Sequence, residues 1–262
     1  MSGPAGVMAL VLAESAAGAA AILFLTPLWN EVRRGFFFLT GAVVLALAAG
    51  AGGAGAGAFA PSAGSEGRLA VALALAMAGA TLAWLILLAV RAGSVARILG
   101  ILSVPLSVAM LVAFARTVSE PLGSTVFQLL AGALFTGAVL DGLLLGHWYL
   151  TDRKLTRGPI NRAAWLLIGA VVAEAAGVIA GVGSGNEPGA ASKSINPLLT
   201  VGGSASWIAI GMVLCTGLIA VFIRLTLRGI RPTAVQSATG FFYLAVITAF
   251  TAEIAAKVRF LP

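Results

Sequence analysis

Charge is scarce in this chain, and the little present does not gather into the signatures of soluble chemistry. Asp, Glu, Lys and Arg make up 10% of the 262 residues against 60% hydrophobic, and mean hydropathy is +1.05. That balance excludes an ordinary soluble domain and reads as an all-α, polytopic membrane protein whose solvent is mostly lipid. A single cysteine, Cys215, excludes an intramolecular disulfide and any cysteine-clustered zinc or iron–sulfur site. A single histidine, His147, excludes a bis-histidine haem within the chain, leaving only a His/Met pair with Met8, Met77, Met110 or Met212. No GxSxG, HExxH, Walker A or paired DxxD-type motif occurs, so the chain reads as having no self-contained catalytic centre, metal site or cofactor. The net charge of +7 does not point to nucleic acid, because the basic residues stand in short loops between apolar segments.

What is present is a succession of apolar runs of roughly 20 residues, the length that crosses a hydrocarbon core as helix. Eight are read, over 6–28, 35–55, 69–90, 96–115, 124–149, 163–183, 204–223 and 233–256, in one transmembrane domain spanning 1–262. The second is expected to fray where Gly50 to Gly57 alternates Gly with Ala ahead of Pro61. No cationic segment precedes the first run, which therefore reads as a true span rather than a cleaved signal. Eleven of the sixteen cations fall in four loops on one side: Arg33 and Arg34; Arg91 and Arg97; Arg153, Lys154, Arg157 and Arg162; Arg224, Arg228 and Arg231. The positive-inside rule makes that side cytoplasmic and puts both termini outside. Trp29, Trp148, Tyr149 and Trp165 mark the inner boundary and Trp207 the outer one, as an aromatic belt would. The Gly- and Ala-rich style fits a bacterial plasma membrane. Gly41 to Val44 and Gly169 to Val172 share the sequence GAVV, which raises a four-plus-four repeat over about 1–120 and 121–262 against chance similarity.

Small residues define the expected packing seams, since lipid supplies no hydrophobic force between helices. Gly142 with Gly146 and Gly177 with Gly181 have GxxxG spacing, and Ala17, Gly18 and Ala21 form a small face on the first span. Pro105 is expected to kink the fourth span. Against this apolar background, ionisable groups at depth are costly, at about 2.5–3.5 kcal/mol each on insertion scales. Glu14, Asp141 and Glu174 are candidates for a proton path or ligand cavity, with structural hydrogen bonding between helices as the alternative. Asp141 and Glu174, on neighbouring antiparallel helices, are expected at similar depths in one cavity. Glu253 has a simpler account, an i,i+4 pair with Lys257 whose ammonium snorkels to the outer interface. Gln236, Tyr243, Phe250 and Lys257 recur every seven residues and are expected to face protein.

The densest chemistry lies between Gly132 and Arg162, which holds Asp141, the lone histidine and the most basic loop. There His147, Trp148, Tyr149 and Arg153 are candidates for contact with a quinone or a lipid headgroup, and His147 for relaying a proton. Deep carboxylates, a cationic aromatic pocket and the lack of a cofactor ligand set favour a membrane subunit of a redox or respiratory complex. Such a subunit would bind quinone or conduct protons while partner subunits, membrane or peripheral, carry the cofactors. In architecture this resembles the paired four-helix bundles of the NrfD-like quinone-interacting subunits. Two alternatives stand beside it, a proton-coupled secondary transporter of a small solute or ion and a structural or assembly protein.

Overall fold

Lipid offers no hydrogen bond to a backbone N–H or C=O, so each apolar run must close its own bonds as helix. The computed structural model describes residues 3–26, 28–59, 64–118, 120–152, 154–184, 201–229, 233–258 and 260. Among them, eight helices are long and apolar enough to span a membrane: α1 (Gly3–Leu25), α3 (Arg34–Phe59), α4 (Ser65–Ala89), α5 (Gly93–Ala115), α6 (Leu122–Thr151), α7 (Gly158–Ser184), α8 (Val201–Leu227) and α9 (Ala234–Val258). A single turn, α2 (Leu28–Glu31), links α1 to α3. No strand occurs among the described residues. The protein is an all-α, multi-pass membrane protein with the eight spans read from hydropathy.

One local expectation changes. The Gly/Ala run does not fray, and α3 continues to Phe59. Two of its glycines lie against α4, where a methyl on Gly52 would come 2.8 Å from Leu75 and one on Gly55 3.1 Å from Val71, and Gly50 faces Leu12 of α1. Close packing there replaces the helix propensity that glycine lacks. Pro105 interrupts a backbone bond without ending α5, which runs unbroken to Ala115. On either side of it, Ser103 and Ser107 donate to the carbonyls of Gly100 and Val104, both at 2.7 Å, so neither hydroxyl is left unbonded.

Each half of the chain closes a ring of four helices in the same order. In the first, α1 packs on α3, α3 on α4, α4 on α5, and α5 returns to α1. In the second, α6 packs on α7, α7 on α8, α8 on α9, and α9 returns to α6. The rings join through their first helices, α1 against α6. Burial reflects this: 83% of the most apolar stretch of α1 and 72% of that of α6 are buried, against 33–44% in the other six spans. At the joint the backbones nearly touch. A methyl on Gly18 would overlap Ala133, and one on Gly137 would overlap Gly18 and Ala19. The small face of α1 therefore joins the two halves of one chain. The GAVV segments fall in the second spanning helix of each ring, but in different surroundings: Gly41 lies beneath Trp84, whereas a methyl on Gly169 would meet open space.

The GxxxG glycines also pack within the chain. Gly142 lies under the ring of Phe242 and Gly146 against Thr239, seating α6 on α9. Gly177 seats α7 on Ala131 of α6, and Gly181 is buried near the end of α7. The heptad stripe on α9 does not face protein throughout. Gln236 and Tyr243 are exposed, Phe250 is half-buried and only Lys257 is fully buried. A seven-residue repeat drifts by about 20° per heptad on a straight helix, so three heptads turn the stripe about 60° from lipid toward the joint.

Candidate functional site

The cationic loops come together before any cavity forms. Arg33 Nε lies 3.0 Å from Asp152 Oδ2, joining the α2–α3 connection to the end of α6. Glu31 pairs with Arg162 at the start of α7. Arg157 Nη1 donates to the Gly229 carbonyl at 2.6 Å, and Arg224 Nη1 to Asn161 Oδ1 at 3.3 Å. The Arg224 guanidinium also lies 5.1 Å from the centre of the Trp165 ring. Exposed pairs of this kind contribute about 0–1 kcal/mol each. Their structural effect is to hold α2, the α2–α3 connection and the adjoining ends of α6, α7 and α8 in a fixed relation.

Behind that network is a cavity of about 610 Å³ bounded by α1, α6 and α7. Its wall is apolar, built from Ile22, Leu25, Leu134, Leu145, Leu166 and Ala170 among others. Arg162 and the largely exposed Trp165 stand at its inner end. One carboxylate breaks the wall: Asp141 is buried, and neither of its oxygens has a hydrogen-bond partner among the described residues. A buried polar group left so in lipid is expensive, which makes Asp141 the chemically distinctive group of the cavity.

The aromatic cluster next to it does not act as one pocket. Consecutive helical residues point about 100° apart, so His147, Trp148 and Tyr149 diverge. His147 is exposed and its Nδ1 lies 3.3 Å from the Tyr243 hydroxyl of α9. Trp148 packs over Gly35 and against Phe36 of α3, with ring centres 6.4 Å apart. Tyr149 is buried and donates to the carbonyl of Thr156, closing the α6–α7 turn. None of the three lines the apolar cavity. Arg153 lies outside the described residues, as does the side chain of Trp29.

A second polar site lies nearer the face that carries the termini. Lys257 Nζ is 2.8 Å from Glu14 Oε1 of α1 and 3.0 Å from Glu253 Oε2, one turn back on α9. All three side chains are buried, Lys257 to within 2%. The i,i+4 pair therefore forms, but the ammonium does not snorkel; it turns inward to meet Glu14. Gly132 of α6 gives the carboxylates room, since a methyl there would come 2.8 Å from both Glu14 Oε1 and Glu253 Oε2. Beside the triad, Glu174, Gln128, Ser206 and Lys257 line a cavity of about 10 Å³, the size of one water molecule.

The structure thus separates two carboxylates expected together. Gly177 of α7 lies beside Ala131 and Gln128, so Glu174 sits near the level of Leu134, about seven residues and ~10 Å along α6 from Asp141. Glu14 and Glu174 belong with Lys257, and Asp141 stands alone in the apolar cavity. Sequence reasoning gave Arg162 and Trp165 a place only in topology and the aromatic belt and Lys257 only a pairing with Glu253, and it assigned Gln128 and Gly132 no role in a site. Lys257 carried a usable signal, standing among the small residues Ala252, Ala255 and Ala256, which let another helix approach. Among the described residues, no group of three or more His, Cys, Asp or Glu side chains is arranged to hold a metal ion. No family model, no curated protein and no solved structure matches this chain.

Proposed function

We propose that this protein is the membrane-embedded subunit of a redox complex, and that it binds a quinone in the cavity between α1, α6 and α7. The observation that carries this reading is a mostly apolar space of about 610 Å³ with one buried, unbonded carboxylate in its wall. The volume falls within the roughly 300–1,000 Å³ of small-molecule sites, where many apolar contacts and a few polar groups set affinity and orientation. A prenylated ring suits that division, with its tail along the leucines and a ring oxygen at Asp141. When a bound quinol gives up two electrons to a redox cofactor of a partner subunit, two protons must leave. The Asp141 carboxylate takes one, and water at the Arg162 end takes the other. The bacterial plasma membrane and the partner subunits belong to the same proposal.

The test is a titration of the nanodisc-embedded protein with short-chain ubiquinone and menaquinone analogues, read by quenching of Trp165, with Trp165→Phe as the control for specificity. Saturable quenching is expected, and Gly169→Phe, which directs a ring into the open space beside the cavity, should weaken binding at least tenfold. Quenching that does not saturate, or affinity unchanged in Gly169→Phe, would sink the proposal.

A further inference from the structure

We propose that the first ring binds an anionic phospholipid by its phosphate, in a pocket between the α2–α3 connection and the α4–α5 turn, with Arg34 and Arg91 as the cationic contacts. The inference does not rest on the quinone reading. The pocket has a volume of about 380 Å³ and lies on the face opposite the termini, where α4 turns into α5. Buried Val32, Phe37 and Leu88 give it an apolar part, and Arg34, Arg91 and Gly93 a polar one. Arg34 is the first residue of α3 and Gly93 the first of α5. Two helix N-termini, whose unpaired N–H groups carry partial positive charge, therefore meet at the pocket together with two guanidinium groups.

No carboxylate answers that charge. Among the described acids only Glu31 and Asp152 stand at this face, and they are engaged with Arg162 and Arg33. Arg34 lies over the Phe38 ring, 5.6 Å from its centre, a contact that orients the guanidinium without neutralising it. Its Nη2 is shielded from solvent and has no hydrogen-bond partner among the described residues. A buried charged donor of this kind calls for an acceptor. Arg91 adds an independent sign. It follows α4 with φ +62°, the left-handed position where helices usually place glycine, and the N–H groups of Arg91 and Ala92 donate to the carbonyls of Leu88 and Leu87 at 3.2 and 3.0 Å. The turn gives no reason for arginine there, whereas an anion shared with Arg34 does. Lipid is the source that fits the surroundings. Around the turn Ile86, Val90, Val95 and Ile98 are 54–67% exposed, a surface for acyl chains beside the cationic pair. Basic pockets between spans at a membrane face suit phospholipid headgroups, and guanidinium groups suit phosphate oxygens.

Native mass spectrometry of the full chain tests this, with the protein delipidated in mild detergent and titrated with phosphatidylglycerol or phosphatidylcholine of matched acyl chains. One phosphatidylglycerol is expected to bind at least tenfold more tightly than phosphatidylcholine. Arg34→Gln and Arg91→Gly should each weaken it at least fivefold, whereas Arg97→Gln, which removes the same charge from α5 outside the pocket, should stay within twofold. Arg91→Gly suits the left-handed turn, so it keeps the fold even where Arg34→Gln does not, and its loss of lipid reads the missing guanidinium alone. Equal affinity for the two lipids, or equal weakening in Arg97→Gln, would reduce the effect to the general charge of that face and overturn the proposal. Glycerol 3-phosphate that displaces the lipid at equal concentration would put a soluble anion in the pocket and overturn it as well.

Discussion

The two rings of this protein share a helix order and differ in what fills them. In the first, Phe24 meets Trp84 edge to face at 5.0 Å, Phe59 lies 6.4 Å from Phe114, and Met77 and Met110 are fully buried. In the second, Glu174, Glu253 and Lys257 are buried, joined by Glu14 from across the joint. The same closure of four helices thus accommodates a dry packed core and a charged one. What the comparison teaches is where the charges can stand. They stand on α1, α7 and α9 around α6, beside the joint, where helices rather than lipid surround them. The first ring has no comparable reason to depart from an apolar core.

Breaking the charged core should give the largest effect. Lys257→Met leaves Glu14 and Glu253 facing each other across Gly132 and is expected to cost about 3–5 kcal/mol, the penalty for stranding a buried partner. Thermal unfolding in nanodiscs reads this, and the triple variant Glu14→Gln, Glu253→Gln, Lys257→Met should recover most of the loss. If Lys257→Met melts like the unmodified protein, the rings do not differ in the way described. Next comes the joint. Gly137→Val places a branched side chain against the Gly18 backbone and should cost about 1–3 kcal/mol, whereas Gly211→Ala, which meets open space, should stay within about 0.5 kcal/mol. The same melting assay separates these, and equal values would show that the close approach of α1 and α6 is not limiting. The smallest effect is expected in the apolar ring. Met110→Leu keeps volume and strands no charge, so a loss under about 1.5 kcal/mol is expected, and a larger one would mean that this core is as exacting as the charged one.

Much of the fold was legible in the sequence because it depends on local properties. Eight apolar runs had to become eight helices, and the glycine pairs at 142/146 and 177/181 marked packing seams. The candidate sites were legible only in part. Asp141, Glu14 and Glu174 stood out because carboxylates within apolar runs are rare, but their grouping could not be read. α1 is apolar almost all round, so no periodicity reveals which of its neighbours meets Glu14. His147, Trp148 and Tyr149 looked like one pocket because they are adjacent in sequence, yet adjacency on a helix sends side chains in different directions.

The sequence by itself determined the number of spans, the side on which the cations gather and the identity of the deep acids, because hydropathy and backbone hydrogen bonding act within one segment. Tertiary structure decided the fate of Lys257. An i,i+4 lysine near a helix end can reach outward to the interface or inward to a partner, and only the approach of α1 and α6 at Gly18, Gly132 and Gly137 brings Glu14 within 2.8 Å of it. It also decided that Asp141 stands alone, because the register of α7 on α6, set at Gly177 and Ala131, carries Glu174 away toward the other face.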